Sequence, residues 1–171
     1  YKEMYMNLMH TKAMLTAMTD QPEESIKIAD EVLSLNEKHP GILDPVEVEE
    51  TKCYQAEAYA ALGNWEETGK IYEALYKACV QRGWHIHVLM GLAQTKYELG
   101  KYDEAIEYSN IAIEAFRQCP GVHKYVALSQ KAMGDIDAAA KTISRAILYE
   151  EHWDKVNMQT NKQLLRELNN L

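Results

Sequence analysis

Three glycine-led junctions constrain this chain more than anything else in it. They read Gly63-Asn64-Trp65, Gly100-Lys101-Tyr102 and Gly134-Asp135-Ile136, at spacings of 37 and 34 residues. Each follows one amphipathic stretch and precedes another. Glycine takes the left-handed backbone conformation without a steric penalty, so each junction ends one helix and lets the next begin. A helical unit that recurs at about 34 residues predicts a stacked repeat array rather than a closed enzyme core.

The rest of the chain reads consistently with that pattern. A first helix is expected over about residues 2–18, with apolar returns at Met4, Leu8, Met9 and Leu15. Thr19-Asp20-Gln21-Pro22 stops it and supplies a short polar cap for a second helix over 23–37. That second helix turns Ile26, Ala29, Val32 and Leu33 inward. His39-Pro40-Gly41 ends it. Asp44-Pro45-Val46-Glu47 then has the makings of a capping box, with Asp44 as cap and Glu47 reaching back. Further helices are expected over 65–82, closing at Gly83, and over 86–99, 103–118, 122–133 and 137–149. Cys119-Pro120-Gly121 punctuates the middle of that series, and a last helix over 154–169 has Val156, Leu164, Leu165 and Leu168 to bury.

At 171 residues, 47 % apolar and 26 % charged, the chain has globular composition, and the reading is a single domain over 1–171. The net charge of −8 is concentrated at the start, where residues 1–50 hold eleven acids against four bases. This disfavours nucleic acid, which needs a Lys and Arg stripe. Cys53, Cys79 and Cys119 are odd in number and far apart, which predicts reduced thiols in a cytoplasmic setting. There is no run of 18 apolar residues, so no membrane partner is expected. The chain opens at Tyr1 inside a helix, which reads as a piece of a longer protein.

Units starting near Met6, Glu49, Ile86 and Pro120 resemble tetratricopeptide repeats. Ala13, Ala56, Ala93 and Ala127 occupy the eighth position of each unit, where the two helices of a repeat come closest. Leu92-Ala93, then Leu99 to Ile106 and Ala112, follow the repeat pattern closely, and Ala139 and Ala146 fill the later small positions of the last unit. The second unit departs with Thr68 and Leu75, and the first with Ser25 and Val32, where the family prefers alanine. Wider or different helix crossings are expected there. The resemblance implies an all-α, right-handed superhelix of three to four helix-turn-helix repeats (6–39, 49–85, 86–119, 120–151), closed by a capping helix over 154–169.

The chemistry of catalysis is not found. His85 and His87 are two apart and point away from each other on a helix, and Cys119 and His123 straddle Pro120-Gly121, so neither pair offers a metal site. No nucleophile elbow, phosphate loop or zinc motif occurs, and Cys79 reads as a small buried hydrophobe. The expectation is a non-enzymatic module without a cofactor. The resemblance implies a concave wall that binds a peptide or helix of a partner protein. On this chain that wall is Tyr54, Glu57, His87, Met90, Gln94, Tyr97, Tyr125 and Leu128, where aromatic area anchors and polar groups set register. The positions that would clamp the acidic tail of a heat-shock chaperone hold residues such as His10, Met14, Tyr54, His87 and Gly91, not a cationic cage, so that partner is rejected. Two alternatives stand beside this reading. One is homodimerisation, through the Met-rich first helix or a Leu164, Leu168, Leu171 seam. The other is a regulatory role beside an enzyme outside these residues.

Overall fold

The computed structural model describes residues 2–19, 21–79, 86–115, 120–150 and 155–170. Among them are nine helices: α1 (Lys2–Met18), α2 (Pro22–Lys38), α3 (Pro45–Ala61), α4 (Trp65–Cys79), α5 (Ile86–Glu98), α6 (Tyr102–Ala115), α7 (Pro120–Ala132), α8 (Ile136–Glu150) and α9 (Lys155–Asn169). They fall into two compact units, Tyr1–Gly83 and Trp84–Leu171. In the first, α1 packs on α2 and α3, α2 on α3, and α3 on α4. In the second, the same neighbour-to-neighbour order runs from α5 to α9, and α5 also meets α7.

The junction glycines behave alike. Gly63, Gly100 and Gly134 have φ of 72°, 72° and 88°. In each junction the residue after glycine donates its N–H five residues back, Asn64 to Tyr59, Lys101 to Lys96 and Asp135 to Gln130, at 2.8–2.9 Å. That bond satisfies a carbonyl the ending helix leaves open. At the start of α3, Asp44 Oδ1 accepts from Val46 N at 2.8 Å and Glu47 N at 2.9 Å, while Asp44 N donates to Glu47 Oε2 at 2.8 Å. The capping box is complete.

Four expectations need correction. The residue ahead of α2 is Gln21, which makes no side-chain cap; the helix begins on Pro22, whose missing N–H needs none. Its buried face is Ser25, Ile28, Ala29 and Val32, so the inward arc is displaced from Ile26 and Leu33, which are half-buried. In α1 the inward residues are Met6 and Ala13, whereas Met4, Leu8 and Leu15 are exposed at 67 %, 64 % and 51 %. The small Ala13 sets which arc faces α2, and the larger apolar residues on the neighbouring arc turn outward. Finally, α7 starts at Pro120, so Pro120 and Gly121 belong to a helix rather than to a break. The stretch from 80 to Gly83, Cys119, and the first residue of the expected last helix, Asp154, lie outside the described residues.

Ala13, Ala56, Ala93 and Ala127 are all fully buried, as are Ala105, Ala112, Ala139 and Ala146. In the first unit the small facing residues carry hydroxyls that reach across the crossing. Ser25 Oγ donates to Ala13 O at 3.4 Å, and Thr68 Oγ1 to Ala56 O at 3.3 Å. In the second unit Lys96, only 5 % exposed, pairs with Glu104 Oε2 at 2.6 Å and ties α5 to α6. Leu164 and Leu168 are buried with Ala139, Ile143 and Ala146, so α9 covers α8. Those leucines are therefore spent inside the chain and cannot form an outward seam; Leu171 lies outside the described residues.

Candidate functional site

The first helices of successive pairs lie side by side within each unit, α1 with α3 and α5 with α7, and each couple presents one mixed face. On α5, His87, Met90, Gln94 and Tyr97 follow one another at intervals of three and four residues, which puts them on one stripe. Across from it on α7 stand Lys124 and Tyr125. The Tyr97 and Tyr125 rings are 6.1 Å apart at 50°, a tilted arrangement that favours aromatic pairs. Tyr102 extends the group, 5.8 Å from Tyr97. Lys124 Nζ sits 5.6 Å from the centre of the Tyr125 ring, within cation–π range.

Gly121 lets this face close up, since a Cβ there would lie 3.0 Å from Met90 Cε. Burial, then Glu98 and Tyr97, pushes the Tyr125 hydroxyl up to about 12. Tyr97 is raised by burial, Glu98 and Tyr102. Both phenols thus stay protonated and available as donors at neutral pH. Leu128 is half-buried and leans on the α8–α9 core, so it borders the face from behind.

The α1–α3 face is built differently. The His10 ring is 5.8 Å from that of Tyr54, its Nδ1 is 2.9 Å from Thr51 Oγ1, and its Nε2 is 3.5 Å from Glu50 Oε2. Tyr54 is raised by burial and by Glu50 and Glu57. The Cys53 thiol is pushed up to about 12, first by burial and then by Glu57. These shifts share their causes, so Glu50 and Glu57 converge around Tyr54 and Cys53. Such a thiol is a poor nucleophile at neutral pH. Among the described residues no group of three His, Cys, Asp or Glu side chains is placed to hold a metal ion, and His85 lies outside them. No described helix is long and apolar enough to cross a membrane.

The structure therefore assembles Met90, Tyr97 and Tyr125 on one face and Tyr54 with Glu57 on another. Tyr102 and His10 join these faces without having been expected as recognition residues. Tyr102 follows a junction glycine by two residues, the one sequence signal that could have placed it at the mouth of the α5–α6 turn.

Residues 87–118 match the family model described as tetratricopeptide repeat. No curated protein sequence matches the chain. Solved structures do. Aspartyl phosphate phosphatase F of Bacillus subtilis superposes with a TM-score of 0.81 at 14 % identity, over 95 % of this chain and 44 % of that one. A signal transduction ATPase with numerous domains and a tetratricopeptide repeat sensor, from Pyrococcus horikoshii, gives 0.78 at 21 %, over 96 % of this chain and 27 % of that one. A thermophilic TPR protein of Thermus thermophilus gives 0.72 at 13 %, over 95 % and 80 %. The chain has an all-α helical-repeat fold like that of tetratricopeptide-repeat proteins. Its most regular repeat is the one running from α5 into α6.

Proposed function

We propose that this chain is a non-enzymatic protein-binding module, and that the α5–α7 face receives an extended peptide or a helix of its partner. The observation that carries this is the tilted Tyr97–Tyr125 pair, half-buried, with Lys124 over one ring and Met90 beside it. Half-buried tyrosines give large contact area at little entropic cost, and the hydroxyls fix register. His87 and Gln94 continue the stripe along α5 and set polar specificity at one end. Tyr54 and Glu57 offer a second, more acidic face in the first unit.

The test is selection of peptides from a displayed library, then measurement of Kd on variants. Tyr97→Ala with Tyr125→Ala should weaken a selected peptide by about thirtyfold or more, as loss of an aromatic anchor does, with circular dichroism unchanged. A selected peptide that binds the double variant as tightly as the parent would remove the α5–α7 face as the recognition surface.

A further inference from the structure

We propose that the cleft between α6 and α8, floored by α7, binds a carboxylate carried on a short apolar stem. Its floor residues His123 and Gln130 lie about 160° and 140° around α7 from Tyr125, so the cleft is separate from the tyrosine face. Helices α6 and α8 both pack on α7 and not on one another, which leaves a cavity of about 280 Å³ between them. That is the small end of ligand-site volumes, with room for a molecule of a few heavy atoms.

Each of the three helices lines the cleft with residues at helical spacing. Ile106 and Ile113 on α6 and Val126 on α7 give it an apolar wall. The polar lining is made of hydrogen-bond donors. Thr142 Oγ1 donates to Gln130 Oε1 at 2.9 Å, which occupies the acceptor end of that amide and leaves its Nε2 hydrogens to donate. Asn110 adds a second side-chain amide, and Arg145 a guanidinium fork. Among the described residues, no side-chain hydrogen bond or ion pair joins Gln130 Nε2, the Asn110 amide or the Arg145 guanidinium to a partner.

No Asp or Glu lines the cleft; Glu107 and Glu114 are exposed and lie farther round α6 than Asn110. Burial holds His123 below the ordinary imidazole value, so it is neutral at pH 7 and Arg145 supplies the positive charge. Donors without an acid, beside an apolar wall, fit an anion with a hydrocarbon stem. The guanidinium fork takes both carboxylate oxygens, and the amides take the remaining lone pairs.

The first unit has a cleft at the same register, of about 370 Å³, and its lining is different. Lys52 stands four residues before the crossing Ala56, as His123 does before Ala127. Ala74 stands eighteen residues after Ala56, where the second unit has Arg145 after Ala127. Glu49 also lines that first cleft, so an anion entering it meets a carboxylate and no guanidinium. The repeat architecture makes the cavity, and Arg145 with its amides makes the α6–α8 cavity selective.

A free short-chain acid and a glutamate side chain carry the same chemistry, so both serve as probes. NMR titration of the 171-residue chain at pH 7 follows the Ile106 and Ile113 methyls and the Arg145 Nε–H. One probe is sodium butanoate, the other a capped tripeptide with a central glutamate, and sodium chloride is the control for ionic strength. Saturating shifts with Kd of about 1 mM are expected. Butanoate binding alone assigns a free acid, and tighter binding of the tripeptide assigns a side chain.

Arg145→Gln should weaken binding about tenfold or more, and at an exposed position it leaves the fold alone. Gln130→Glu keeps an acceptor for Thr142 but sets a carboxylate in the cleft, and should abolish binding. Lys141→Gln removes an exposed cation one turn before Arg145, outside the cleft lining, and should change little. Tyr97→Ala with Tyr125→Ala should also leave binding intact, so this proposal and the tyrosine face can fail separately. Shifts from both probes that do not saturate by about 50 mM overturn the proposal, as do shifts that chloride reproduces. Binding that survives Arg145→Gln or Gln130→Glu overturns it too, and so does a loss in Lys141→Gln equal to that in Arg145→Gln.

Discussion

In Tyr1–Gly83 the helix pairs cross through hydroxyls, Ser25 on Ala13 and Thr68 on Ala56, whereas in Trp84–Leu171 the matching positions are alanine throughout. The same crossing is thus made in two chemistries, one tied by a hydrogen bond and one by bare proximity. Charge separates the units as well. Residues 1–83 carry fifteen acids against eight bases, and residues 84–171 eleven against ten. The α1–α3 face follows suit with Glu50 and Glu57, while Lys124 stands on the α5–α7 face. What this teaches is that the repeat geometry constrains residue size at the crossing far more tightly than polarity, and constrains the outward faces hardly at all.

The most severe test of the comparison is bulk at the crossing. Ala93→Leu should cost about 3 kcal/mol or more, because Ala93 is 0 % exposed and a side chain three carbons larger must displace a facing helix. Ala56 is equally buried, so Ala56→Leu should cost as much in the first unit. Urea unfolding of both variants decides whether the hydroxyl-bearing crossing is as tight as the alanine one. A loss below about 1 kcal/mol at Ala56 alone would show that the first unit crosses more loosely.

Alkaline pH should separate the units next. The folded chain holds the Cys53 thiol proton up to about pH 12, against an ordinary value of 9.0, so the unfolded chain loses that proton first. Stability is whole below pH 9 and falls as pH rises from there towards 12, by on the order of 2 kcal/mol near pH 11 for this one group. Tyr125, raised from 10.0 to about 12, begins the same loss a unit later. Thermal unfolding across pH 8–11.5 should flatten in its early part for Cys53→Ala and in its later part for Tyr125→Phe. If both variants follow the parent curve, burial at these two groups is not what makes the chain sensitive to alkali.

Much of this was legible in the residues. The glycine junctions located six of the nine described helices to within a few residues, because a positive φ and a carbonyl five residues back leave little freedom. The Asp44 box was readable for the same reason: both of its bonds are local. Which arc of α1 faces inward was not readable, since apolar residues stand on both sides of that helix and only Ala13 says which side is crowded. The candidate face was half legible. Repeat register aligned Tyr97 and Tyr125 with one another. The tilt of their rings, the entry of Tyr102 and the retreat of Leu128 towards α9 depend on packing between helices, which no local pattern encodes.

A smaller effect is expected from the cap. Asp44→Ala removes the acceptor shared by Val46 N and Glu47 N and should cost about 1 to 2 kcal/mol. In the second unit the α8 start carries a simpler cap, Ala138 N to Asp135 Oδ1 at 3.0 Å. Asp135→Ala should therefore cost about half as much. Equal losses in urea titrations would mean that the second bond to Asp44 Oδ1, from Val46 N, adds nothing.

Thr68→Val is the finest probe of the two crossings. The Thr68 hydroxyl also donates to Asn64 O at 2.9 Å, one turn back, so the 3.3 Å contact with Ala56 O is its longer bond. Ala56 O belongs to α3 and lies opposite a residue only 1 % exposed, where valine has nearly the same shape. Valine removes the hydroxyl and leaves the methyl packing, so the cost is one modest net hydrogen bond, about 1 kcal/mol or less. If polarity at the crossing is incidental, as the alanines of the second unit imply, Thr68→Ala should be the worse of the two, because it also opens a space the size of a methyl group. Denaturant midpoints in the reverse order, with valine costing more than alanine, would mean that the hydroxyl itself sets the crossing in the first unit, and the two units would then differ in mechanism and not only in residue choice.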